Sequence, residues 1–296
     1  MKIQSNGLDF EVEVNEPGRA DGAPTVLLIM GLGMQLVAWP PAFVKALTDA
    51  GYRVLRLDNR DIGLSHKTAA KVPNLAWMGI KHRIGLSVRA DYSLRDMVED
   101  TRGVLDALDI TRCHVIGVSM GGMIAQGLAS HHPERVLSLV SIMSTTGARG
   151  LPQATPKATM ALLARPNSRQ REDIIEHFVK VLAVIGSPKY PMAEADVRQR
   201  IGEAFDRSFY PAGTIKQMAA IMASGDRSAE VRRIAAPTLV IHGKDDPLVP
   251  LKNGEDTAKK IAGSEYTQID GMGHDLGVLP ILIERILPFL RKHTPV

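Results

Sequence analysis

Residues Cys113-His114-Val115-Ile116-Gly117-Val118-Ser119-Met120-Gly121-Gly122 carry an apolar, β-branched run into Gly117-x-Ser119-x-Gly121, and a helix-like segment from Met123 to Ala129 follows at once. Strand, tight turn and helix are the context in which this spacing carries chemistry. A turn that sharp forces its middle residue into a strained backbone conformation, and flanking glycines keep side chains out of the way. The Ser119 hydroxyl is then exposed at a helix N-terminus, where the dipole and the Met120 N–H favour negative charge developing beside it. The bland alternative is a glycine-rich βα turn in some other parallel sheet, with the serine as a helix cap.

Working outward, Leu8–Val14 alternates apolar and polar residues, the period of a half-buried strand. Residues 18–24 read as a turn. Thr25–Met30, Tyr52–Leu57, Val136–Met143, Ala236–Gly243 and Glu265–Ile269 read as further strands, the first four almost wholly apolar. Helical spacing covers Pro40–Ala50, stopped by Gly51, and Leu94–Leu108 behind Ser93 as N-cap; Ile281–Lys292 reads as the closing helix. Residues 67–89 have weak periodicity and read as an irregular excursion. Apolar strands alternating with helices imply an α/β fold with a mostly parallel sheet covered on both faces.

The rhythm breaks between Thr145 and Arg233. Helical stretches at Arg169–Ile185, Ala193–Phe209 and Thr214–Ala223 are punctuated by prolines, with no convincing strand. The expected organisation is a core of residues 1–144 and 234–296 with a helical cap, 145–233, inserted as a lid. Met160, Leu162, Leu163, Met192, Met218 and Met222 predict an apolar pocket beneath it.

Composition excludes some classes. In 296 residues the net charge is +4, and no apolar run approaches the roughly 18 residues of a membrane span. Lys67, Lys71, Lys81, Arg83 and Arg89 fall between Ser65 and Asp91 without an acidic residue, a solvated face with no nucleic-acid motif beside it. The single cysteine, Cys113, precludes an intramolecular disulfide and suits a reducing compartment; no apolar leader precedes the first strand, so a cytoplasmic location is expected. His66, His82 and His114 lack metal-ligand spacing, and no metal or other cofactor is expected. Asp58 and Arg60 read as a mutual brace for a turn, and Trp39 and Trp77 as core or pocket-lining residues. Leu36 stands where a dinucleotide fingerprint starting at Gly31 needs its third glycine.

Ligands of open α/β sheets sit outside the carboxyl ends of the strands, and four such ends carry reactive or glycine-rich residues: Gly31–Gly33, Ser119, Asp245-Asp246 and His274. A serine needs an adjacent base, which Gly271-Met272-Gly273-His274 supplies, and the imidazole in turn needs a carboxylate to fix its tautomer. Asp246, stiffened by Pro247, is preferred for that role over Asp245, which is expected to cap the turn or face solvent.

The chain order Ser119, Asp246, His274 is that of the nucleophile-elbow hydrolases. With the Gly243-x-x-Asp246 spacing and Pro250 four residues on, the sequence resembles the α/β-hydrolase-fold superfamily from end to end, the inserted segment excepted. Met30-Gly31-Leu32-Gly33 followed by Trp39-Pro40, and Asp58–Ser65, resemble more particularly the branch containing aclacinomycin methylesterase. Met30 stands where many members carry histidine.

The resemblance implies a serine hydrolase that cleaves small, apolar carboxylic esters through an acyl-enzyme. Ser119 would be nucleophile, His274 base and Asp246 its orienting acid, with the main-chain N–H groups of Leu32 and Met120 as the oxyanion hole. The same residue set serves C–C bond hydrolysis, lactone opening and cofactor-free perhydrolysis. A ligand-binding protein on this fold is the alternative outside enzymes. Oligomeric state is not legible.

Overall fold

A computed structural model describes residues 1–18, 22–83, 86 and 88–295. Residues 19–21 of the expected turn and 84, 85 and 87 of the expected excursion lie outside them, as do the side chains of residues 76 and 81–83. Eight strands form one sheet: β1 (Lys2–Ser5), β2 (Leu8–Asn15), β3 (Thr25–Ile29), β4 (Arg53–Leu57), β5 (Cys113–Val118), β6 (Val136–Ile142), β7 (Thr238–Gly243) and β8 (Glu265–Ile269). Their spatial order is β1-β2-β4-β3-β5-β6-β7-β8. The first two pairings are antiparallel and the other five parallel. The fold is that of the α/β hydrolases, as expected.

Helices α1 (Pro41–Asp49), α2 (Leu75–Arg83), α3 (Leu94–Ala107) and α4 (Met120–His131) accompany the first half of the sheet. Ser93 closes a full capping box on α3: its hydroxyl accepts the Asp96 N–H, and the Asp96 carboxylate accepts the Ser93 N–H. Between β6 and β7 come only helices: α5 (Pro156–Leu163), α6 (Arg171–Ile185), α7 (Glu194–Arg207), α8 (Pro211–Ser224) and α9 (Ser228–Val231). Helices α10 (Lys252–Lys260) and α11 (Leu279–Lys292) complete the chain's order.

Alternation along the strands divides the core into two layers. Leu27 and Ile29 of β3, with Leu55 and Leu57 of β4, pack with α3 and α4 on one face. Val26 and Leu28, with Val54 and Ile116, pack with α1 and α11 on the other. Cys113 is fully buried, and burial pushes its thiol up to about 12, so it behaves as a small core residue.

Some local expectations differ from what forms. Part of the excursion is the helix α2, whose residues lack an apolar stripe because both faces are mixed. Strand β1 and helix α10 have no apolar pattern to mark them in the sequence. Trp39 is a core residue stacked on Phe43, while Trp77 is 56% exposed. Lys71 and Arg89 are solvated, but Lys67 turns inward, donating to the Gly63 and Ser65 carbonyls. Met160 and Leu163, expected over a pocket, are 67% and 72% exposed.

Candidate active site

Strand β5 runs into Ser119 and α4 leaves from it. Ser119 sits at the N-cap of α4 with φ 54° and ψ −121°, and its side chain makes no cap hydrogen bond. The helix-cap alternative therefore fails, since a capping serine accepts an N–H of the first turn. The glycines on either side are required by close approach: a Cβ on Gly117 would lie 2.2 Å from the Gly121 carbonyl oxygen, and one on Gly121 would lie 2.1 Å from that of Ile29. The strained turn is held from outside. The Ser119 N–H donates to the Ile142 carbonyl at 2.9 Å, and the Ser144 hydroxyl donates to the Ser119 carbonyl at 2.8 Å.

The hydroxyl meets a histidine from the far end of the chain. Ser119 Oγ lies 3.0 Å from His274 Nε2, and His274 Nδ1 lies 2.7 Å from Asp246 Oδ2. An ionised carboxylate only accepts, so Nδ1 bears the ring proton and the neutral ring leaves Nε2 free to accept from the serine. The other oxygen, Asp246 Oδ1, accepts the Leu248 and Val249 N–H groups at 2.9 and 2.8 Å, which fixes the carboxylate plane. Asp245 does not join this chain; it accepts the Gly271 N–H at 2.8 Å and braces the histidine loop.

A second imidazole stands behind the carboxylate. His242 Nε2 donates to the Val249 carbonyl at 2.7 Å and lies 3.6 Å from Asp246 Oδ2. Burial lowers its pKa, so the ring is neutral and adds no charge to compete for Asp246.

The loop after β3 passes directly beside the serine, since a Cβ on Gly31 would stand 3.2 Å from Ser119 Cβ. Leu32 follows Gly31, and Met120 is the first residue of α4. Among the described residues, neither amide donates a hydrogen bond to the protein. The structure thus brings together all five residues singled out in the sequence.

Several contacts to this site had no sequence signal. The Ser187 hydroxyl accepts the Gly273 N–H at 2.9 Å, and the Ile185 carbonyl accepts the His274 N–H at 2.7 Å. Asp275, next to His274, accepts from both the N–H and hydroxyl of Ser187. Asp58 and Arg60 do brace turns, though not through one another. Asp58 accepts the Leu36 and Leu64 N–H groups and pairs with Arg207 of α7, whereas Arg60 pairs with Asp100 of α3.

Residues 24–278 match the model of the alpha/beta hydrolase fold family. This chain belongs to the alpha/beta hydrolase family. The hydrolase is 27% identical to a 2-hydroxy-6-oxononadienedioate/2-hydroxy-6-oxononatrienedioate hydrolase of Klebsiella pneumoniae, over 93% of this chain and 88% of that one. It is 26% identical to rhodomycin D methylesterase DnrP of Streptomyces peucetius, over 96% and 95%. Among solved structures, the enol-lactonase of Burkholderia xenovorans LB400 superposes with a TM-score of 0.74 at 24% identity, covering 98% of this hydrolase and 100% of that chain. That last likeness is one of fold. A methylesterase among the relatives agrees with the branch that the sequence resembles.

Proposed function

We propose that this hydrolase cleaves carboxylic esters, with Ser119 as nucleophile, His274 as general base and then acid, and Asp246 as the group that orients it. The observation carrying this reading is the continuous hydrogen-bonded chain from Ser119 Oγ through His274 to Asp246, with separations of 3.0 and 2.7 Å. Ser119 Oγ attacks the ester carbonyl while its proton passes to His274 Nε2. The imidazolium, stabilised by Asp246, returns that proton to the departing alkoxide, and an alcohol leaves. Water then attacks the acyl-enzyme by the same route, giving the carboxylic acid and free Ser119. The N–H groups of Leu32 and Met120 would receive the oxyanion, each worth about 10²–10³ in rate if aimed correctly. Residues 145–233 serve in this reading as the cap over the site, and the substrate is a small, apolar ester.

The Klebsiella relative's name favours a second reading, in which the same residues cleave a carbon–carbon bond of a vinylogous diketone. Turnover of p-nitrophenyl esters beside a vinylogous diketone and a lactone separates these. Ser119→Ala should abolish turnover of whichever substrate is cleaved while leaving the melting temperature intact. A variant retaining wild-type rates would refute the assignment. A fluorophosphonate probe should label wild-type Ser119, which a pure ligand-binding pocket has no reason to activate.

A further inference from the structure

We propose that Gln217, on α8 of the inserted segment, is a positioning residue for the oxyanion-binding turn; this rests on the esterase reading above. The Gly31 carbonyl accepts the Met34 N–H at 3.2 Å, Gly33 has φ +71°, and Leu32 is not among the residues with positive φ. These features define a type II β-turn. Types I and II share the closing hydrogen bond and differ by a half-turn flip of the middle peptide, here Leu32–Gly33. The closing bond alone therefore does not choose between them.

Gln217 makes the choice. The Gly33 N–H donates to Gln217 Oε1 at 2.9 Å, and Gln217 Nε2 donates to the Arg60 carbonyl at 2.8 Å. The side chain has no exposed surface. An N–H on one side and a carbonyl on the other permit a single orientation of the amide, so the acceptor cannot turn away from Gly33. Thr214, one turn earlier on α8, closes over the same glycine: a Cβ there would lie 2.8 Å from Thr214 Oγ1. Upstream, Asn59 Nδ2 donates to the Met30 carbonyl at 3.1 Å.

Met30, Gly31 and Gly33 are thus each held by a hydrogen bond, and Leu32 lies between them. In a trans peptide the N–H points opposite to the C=O, so engaging the Gly31 carbonyl inside the turn directs the Leu32 N–H out of it. A donor helps a developing oxyanion only if it is aimed before the charge appears. Exchange to a type I turn would leave the Gly31–Leu32 peptide in place but swing the neighbouring Leu32–Gly33 peptide through half a turn, reversing the Leu32 carbonyl dipole and the Gly33 N–H and so changing the field at the oxyanion position. Gln217 prevents that exchange.

The test uses Gln217→Met, unbranched and of similar length, and Gln217→Leu, each assayed with p-nitrophenyl acetate. The expected result is a kcat lower by about 10-fold or more with KM within about 2-fold. Affinity for phenylboronic acid, which adds to the serine and places an oxygen at the oxyanion position, should weaken by a similar factor. A purely structural glutamine would lower the melting temperature and leave both readouts unchanged at 25 °C. Wild-type kcat in either folded variant overturns the inference, and so does collapse of the fold in both. If wild-type Ser119 takes no fluorophosphonate label, the esterase reading itself has failed. If it labels while Gln217→Met turns over normally, only the present inference has.

Discussion

Ser187 and Asp275 are joined twice, the Ser187 N–H donating to Asp275 Oδ2 at 2.9 Å and its hydroxyl donating to Oδ1 at 2.5 Å. The same hydroxyl accepts the Gly273 N–H, so the backbone before His274 and the Asp275 side chain after it are both fastened to Ser187, which follows α6. The stretch between β6 and β7 therefore holds the histidine loop as well as the turn beside Ser119.

Ser187→Ala removes that hydroxyl and leaves the buried Gly273 N–H without its partner, while Asp275 Oδ1 keeps only the Gly277 N–H. Stability should fall by about 1–3 kcal/mol, read by urea unfolding, since orphaned buried groups cost roughly that much. Ester turnover at 25 °C should fall several-fold with KM little changed. An unaltered unfolding midpoint together with wild-type kcat would show that the clamp does not matter.

Asp246→Asn tests the orienting role through the tautomer. Two backbone N–H groups bind Oδ1, so the asparagine keeps its oxygen there and turns its NH₂ toward His274 Nδ1. The ring must then carry its proton on Nε2, facing Ser119, where it no longer accepts. A loss of about 10⁴ in kcat is expected by analogy with other serine triads, with little change in melting temperature. A loss under about 10-fold would remove Asp246 from the mechanism.

Arg60→Met addresses the fold beneath the site. The guanidinium meets Asp100 through two contacts of 2.5 Å, the side chains are 8% and 3% exposed, and Tyr92 lies under the Arg60 charge at 4.8 Å. Removing one partner leaves a buried carboxylate uncompensated and should cost about 3–5 kcal/mol in urea titration. The double variant Arg60→Met with Asp100→Leu should recover part of that loss; a double variant no better than the single would contradict this account.

His114 sets an acid limit on stability. Thr294 gives its hydroxyl proton to the Leu290 carbonyl, so His114 Nε2 donates to Thr294 Oγ1 at 3.1 Å and Nδ1 accepts from Ser138 at 2.8 Å. Burial, with a smaller contribution from His293, pushes this imidazole down to about 4. Between about 4 and 6.5 the unfolded chain binds the extra proton and the folded chain does not, so stability falls as pH drops through that window and is full above it. The loss attributable to this group approaches about 3 kcal/mol. His114→Gln should flatten that limb of the unfolding free energy against pH; an unchanged slope would assign it elsewhere.

The sheet was readable because β3, β5 and β7 are short, mostly apolar runs with turn residues at their ends. Strand β1 has four residues with only Ser5 buried, too few for alternation to register. Helix α10, Lys-Asn-Gly-Glu-Asp-Thr-Ala-Lys-Lys, contains a single apolar residue beyond glycine; its buried face is made of Asn253, Gly254 and Thr257, so it shows no apolar stripe. Ser119, Asp246 and His274 each sit in a local glycine- or proline-marked loop, which is why separate motifs pointed to one place. Their supports are different in kind. Gln217 reaches Gly33 across 184 residues and Ser187 reaches Gly273 across 86, and one long-range hydrogen bond leaves no periodicity in either partner's neighbourhood. Asp275, adjacent to His274, is the one support whose position in the chain offered a hint.

Sheet order also has a bearing on biosynthesis. Strand β6 pairs with β5 on one side and β7 on the other, yet residues 143–237 must be translated before β7 begins. At about 5–20 residues per second this leaves an apolar strand edge unpaired for roughly five to twenty seconds on the ribosome. Throughout that interval the nascent chain offers the kind of template that invites mispairing with other chains, which makes it a natural client for holdase chaperones.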